Sequence, residues 1–113
     1  MGKLLKATRI KRYKEKLTDI FKGLDQNTQD VAEPLIDRAA FIIASLEDLE
    51  EELNQNGWTE EYQNGQNQHG IKKSAAADVH ISLTKNLTAI EKQLLEIVPP
   101  AQRKSKLEEL MNE

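Results

Sequence analysis

The sequence predicts an all-α fold: a long antiparallel helical hairpin, preceded by a basic helix, followed by a short C-terminal helix, and self-associating. Three observations predict it. Glu, Leu, Lys, Gln and Ala dominate the 113 residues, and these side chains lose least freedom in a helix. Two Phe, two Tyr, one Trp and three Pro give little material for a β-sandwich or barrel. Apolar residues recur at three- and four-residue steps over most of the chain. The length suits one small domain.

The first helix is expected from about Leu4 to Leu24, on a stripe of Ile10, Tyr13, Leu17, Ile20, Phe21 and Leu24. Gly23 and Asp25-Gln26-Asn27 end it. Its cations lie mostly off that stripe, so one face can pack while another offers positive charge. The second helix opens either on an Asp30/Glu33 capping box or with Pro34 in its first turn, and runs to about Asn56. Ala32, Leu35, Ala39, Ile42, Leu46, Leu49 and Leu53 form a heptad seam along it. At ~1.5 Å per residue it spans roughly 39 Å.

Ile36, Ala40, Phe41, Ile43 and Ala44 make the middle of that helix apolar nearly all round, so it must be covered from more than one side. A hairpin of this length also exceeds what a compact domain needs, whose radius of gyration is near ~13 Å. Both points predict a homo-oligomer, with those five residues between subunits.

Residues 54–73 interrupt the helices with three of the five glycines and two Asn-Gly pairs. Asn64-Gly65 suits a tight turn, and Trp58, Tyr62 and Ile71 are candidates to pin the loop; alternation is too poor to assign strands. Ser74 caps a third helix to about Val98, ended by Pro99-Pro100, with Val79, Leu83, Leu87, Ile90, Leu94 and Ile97 as its stripe. Asn86 and Gln93 stand where its heptad calls for apolar groups, either fixing register or facing a solvated groove. A fourth helix covers about Ala101 to Met111. The chain thus divides into residues 1–26 (basic helix, candidate DNA-binding element), 27–98 (hairpin and oligomerisation core) and 99–113 (basic, amphipathic tail).

Charge is strongly segregated. Residues 1–22 carry +6, residues 23–70 carry −10 with Arg38 their only base, and residues 71–113 carry +1. Lys3, Lys6, Arg9, Lys11, Arg12, Lys14 and Lys16 can neutralise phosphates with little sequence readout, or can complement the acidic second helix within the fold. Arg103, Lys104 and Lys106 form a second basic surface, for DNA or a partner protein.

Catalytic chemistry is not expected. There is no cysteine, so neither a disulfide framework nor a thiolate metal site, and a reducing cytoplasm is the expected location. No apolar run nears the ~18 residues of a membrane span, and no secretory signal follows the basic N-terminus. His69 and His80 have no second ligand at metal spacing; the expectation for His80 is a half-buried ring bonded to a neighbour. No Walker-type loop or nucleophile elbow occurs, and Glu47, Asp48, Glu50, Glu51 and Glu52 read as a solvated helix face. No metal or cofactor is implied.

Four segments, in order, carry a family resemblance. Ala39-Ala40-Phe41 sits on the long helix. Gly57-Trp58-Thr59-Glu60-Glu61-Tyr62-Gln63-Asn64-Gly65 follows, then Gln66-Asn67-Gln68-His69-Gly70-Ile71-Lys72-Lys73-Ser74, and Pro99-Pro100-Ala101-Gln102-Arg103-Lys104 after the third helix. Over about residues 28–107 the chain resembles the small terminase subunit of tailed bacteriophages, in the form carried by phages and prophages of Gram-positive bacteria. The resemblance implies a non-enzymatic packaging component that forms a ring, binds double-stranded viral DNA at the packaging site, and delivers it to the large terminase subunit, which holds the ATPase and nuclease. Many such subunits carry an obvious N-terminal helix-turn-helix where this chain has a basic helix. The competing reading is a helical adaptor or antitoxin-like interaction protein without nucleic-acid binding.

Overall fold

The computed structural model describes residues 4–63, 65–66 and 68–112. Helix α1 spans Lys6–Phe21 and α2 Gln26–Asn56; strands β1 (Thr59–Gln63) and β2 (His69–Lys73) follow, then α3 (Ala75–Glu96), a 3-10 turn (Pro100–Gln102) and α4 (Arg103–Met111). The molecule is predominantly helical, but a two-stranded sheet replaces the irregular loop expected between the long helices.

Helix α2 starts earlier than its sequence suggests. The Asp25 carboxylate accepts from the Thr28 N–H at 3.1 Å and from the Thr28 hydroxyl at 2.7 Å, which makes Asp25 the N-cap. The Thr28 hydroxyl, then its N–H, holds the Asp25 carboxyl below its ordinary pKa. The Gln29 side-chain amide donates to the carbonyls of Lys22 and Leu24, closing the short turn from α1. Pro34 therefore lies inside the helix rather than at its start. Its 31 residues give α2 a length of about 46 Å. At the far end Gly57 adopts φ +82 while its N–H returns to the Leu53 carbonyl at 2.8 Å, a termination that favours glycine.

The main core forms where three helix segments meet. Leu17, Ile20 and Phe21 of α1, with Leu24, pack against Ala32, Ile36 and Ala39 of α2, and against Leu94 of α3 and Val98 just beyond it. Burial of side chains such as Phe21, Leu94 and Val98 contributes about 1.5–3 kcal/mol each. At the other end of α2, Leu53 is buried, as is Ala77 at the start of α3, and His80 of α3 bonds Glu50 of α2 at 3.0 Å. The start of α3 thus lies beside the end of α2, and the end of α3 beside its start.

This arrangement corrects the expected subunit interface. Ile36, Ala40 and Ala44 are buried within one chain, because α1 and α3 cover α2 from different sides; Ile43 is half-buried against the core. Only Phe41 of the five faces solvent, at 53% exposure. Along α3, Leu94 is buried, Leu83, Leu87, Ile90 and Ile97 are half-buried, and Val79 is exposed, since α1 packs on α2 and leaves the outer side of α3 open.

The strands pair antiparallel, with Glu61 opposite Ile71 and Tyr62 opposite Gly70. Five residues, 64–68, connect them in place of a two-residue turn; of these, Asn64 and Asn67 lie outside the described residues. Every residue of β1 is exposed, as is every residue of β2 except half-buried Gly70. The root is fastened by the Ser74 N–H on the Trp58 carbonyl at 3.0 Å and by the Trp58 ring edge-on to His80 at 5.4 Å. Tyr62 and Ile71 do not pin the loop to the helices: Tyr62 lies across Gly70, and Ile71 is 72% exposed. The long axis of the molecule is 64 Å. That matches α2 continued by strands of about 17 Å, so the hairpin extends the axis.

Candidate nucleic-acid interface

Helix α1 presents its cations in two groups. Arg9 stands one helical turn before Tyr13 and two before Leu17, so it falls on the face that packs against α2. There it is buried to 8% exposure. Its guanidinium donates to Glu47 at 2.9 Å, to Asp48 at 2.7 Å, to the Ala44 carbonyl at 3.2 Å and to the Leu4 carbonyl at 3.1 Å. The Tyr13 hydroxyl donates to the second Glu47 oxygen. Glu47 foremost, then Asp48, raises the Arg9 pKa, against the opposing effect of burial. Arg9 is therefore a structural cation with no free donor face for a phosphate, which corrects its assignment as a DNA contact.

Lys14 pairs with Asp37 at 2.8 Å, and that hydrogen bond raises its pKa. Lys6 lies 3.9 Å from Asp48 and 4.6 Å from the centre of the Phe41 ring. These contacts join the basic helix to the acidic one, the complementation that charge segregation left open. Glu47 and Asp48, expected on a solvated face, are half-buried partners in it.

Lys11, Arg12 and Lys16 form the second group: exposed, and in no ion pair among the described residues. Arg12 and Lys16 are one turn apart and border a depression of about 380 Å³ lined also by Leu4, Tyr13 and the buried, carboxylate-paired Arg9. Long-chain cations exposed on a helix suit a phosphate backbone, which is contacted by charge without shape readout. Lys3 lies outside the described residues.

The tail behaves differently from its sequence reading. Arg103 donates to the Val98 and Glu96 carbonyls at 3.0 and 3.2 Å, closing the C-terminal end of α3. Lys106 pairs with Glu109 at 3.3 Å. Of the three expected contact residues, Lys104 alone has neither an ion pair nor a side-chain hydrogen bond among the described residues.

His80 is half-buried and bonded to Glu50, as its position on the stripe suggests. His69 is exposed at the end of β2. Among the described residues no three His, Asp or Glu side chains group as metal ligands, and no helix is long and apolar enough to cross a membrane. No protein-family model, curated protein or solved structure matches the chain.

Proposed function

We propose that this chain is a non-enzymatic small terminase subunit: it contacts double-stranded viral DNA, self-associates, and presents that DNA to a large terminase subunit in the bacterial cytoplasm. One observation carries the DNA contact. Lys11, Arg12 and Lys16 remain exposed and unpaired on α1, whereas Arg9 and Lys14 are held by α2. The packaging role rests on the resemblance of residues 28–107, whose most specific segment forms the projecting hairpin and its junction with α3.

The test is salt-dependent binding to duplex DNA. Replacing Lys11, Arg12 and Lys16 together by Gln is expected to weaken binding to all sequences alike. It should also reduce the slope of log K against log salt by about 0.9 for each phosphate that is no longer neutralised. An unchanged slope would remove α1 as the DNA surface.

The ion pairs between α1 and α2 favour a second reading, a helical adaptor without nucleic acid, because they account for much of the basic segment within the fold. Retention of duplex DNA at physiological salt separates the two.

A further inference from the structure

Among the described residues, two surfaces that lack cover lie far apart. One is a groove of about 560 Å³ between α2 and α3, lined by Leu35, Phe41, Ile42, Asn86, Ile90 and Gln93. The other is the hairpin, with Ile71 at 72% exposure. A two-stranded hairpin exposed on both faces is marginally stable in water, so a surface outside it is needed to hold it. The described residues of the same chain supply none. Phe41 lies about 22 Å of helix from the end of α2, and the hairpin points away from it.

The accessible surface indicates how much cover is missing. The chain exposes 7986 Å². A compact monomer of 12.9 kDa exposes about 6,300 Å². The excess of about 1,700 Å² is close to two standard half-interfaces of about 800 Å² each. A subunit that donates one surface and accepts on a different one needs that much.

Chemistry selects the occupant. The hairpin strands carry Glu60, Glu61, Lys72 and Lys73, a net charge of zero, which is a poor match for a polyanion. Ile71 and Glu61 are opposite one another and share a face. Glu61 is exposed and in no ion pair among the described residues, and the same holds for Arg38 at the edge of the groove. From this complementarity we infer that the hairpin of one copy seats in the α2–α3 groove of the next, Ile71 entering beside Phe41 and Glu61 meeting Arg38. Asn86 and Gln93 supply amides for the polar edge of the incoming strand. The contact is head-to-tail, so it repeats from copy to copy and forms a ring where the rotation between copies closes. It rests on the self-association part of the proposed function and gives that association its surfaces.

The test is native mass by light scattering coupled to size exclusion, with folding checked by circular dichroism. Wild type is expected as a multiple of 12.9 kDa, and Phe41→Asp and Ile71→Asp each as a folded monomer. An equimolar mixture of the two should stop at a dimer, because one copy keeps its groove and the other its hairpin. A mixture that stays monomeric excludes the head-to-tail pairing. Should either Asp variant fail to fold, the surface exchange Arg38→Glu with Glu61→Arg serves instead: each change alone should disrupt assembly and the pair restore it, and failure of the pair overturns the contact. Wild type that assembles while Ile71→Asp assembles equally overturns this inference and leaves self-association standing. A monomeric wild type overturns both. If Ile71→Asp weakens DNA binding with no change in mass, the hairpin faces nucleic acid and the inference is wrong.

Discussion

Arg9 shows how one residue can carry a charge pattern inward. Its fork-shaped guanidinium serves two carboxylates and two backbone carbonyls at once, which a lysine ammonium cannot reproduce. Arg9→Lys is therefore expected to lower the melting temperature by on the order of 10 °C, since Glu47 and Asp48 lose their shared partner. The salt slope of DNA binding should not change. Thermal denaturation checks the first expectation, and an unaltered melting temperature would show that the network holds nothing. The position was legible in the sequence, because Arg9, Tyr13 and Leu17 follow at four-residue steps onto the packed stripe. Its partners were not: Glu47 and Asp48 lie nearly forty residues away, in a run of acids that reads as solvated.

At the scale of elements, the three long helices were legible because each packs an apolar stripe, and packing writes a period into the sequence, whereas α4 buries no residue. The strands were not. With no face of the hairpin on the core, no selection for alternation acts within the chain, and Thr59–Gln63 reads as polar loop. The start of α2 was missed for a different reason: Asp30/Glu33 and Pro34 both resemble a helix start and Asp25 reads as the end of α1, and only the fold of the α1–α2 turn makes Asp25 the cap. Within the hairpin, Gly70 admits the Tyr62 ring: a Cβ there would lie 2.5 Å from the Tyr62 hydroxyl oxygen and 2.6 Å from Cε1. These are the outer atoms of an exposed side chain, which can swing clear. Gly70→Ala should therefore displace the ring and abolish its cross-strand contacts by NMR, while the melting temperature stays within about 2 °C. A fall of on the order of 5 °C or more would mean that this contact supports the helices as well.

The molecule as a whole is elongated, with a radius of gyration of 18.3 Å against about 13 Å for a compact chain of similar length. Its stability should be graded along that length. In the Phe41→Asp variant, amides around Phe21, Ile36 and Leu94 are expected to exchange with solvent only through global unfolding, and those of Thr59–Lys73 orders of magnitude faster. A uniform exchange profile would contradict this. The need to cover the middle of α2 was legible in its all-round apolarity, but the cover of Ile36, Ala40 and Ala44 was assigned to neighbouring subunits and is supplied by the same chain. Periodicity shows that a face is buried and is silent on whether the same chain does the burying. The placement of the core also sets a schedule for synthesis. Leu94 and Val98 complete a core begun by residues 17–39, and nearly sixty residues must be translated between the two. At about 5–20 residues per second that takes roughly 3–12 s. Through that interval the α1–α2 pair emerges with one apolar side bare, so a nascent-chain chaperone has its window there, before α3 arrives.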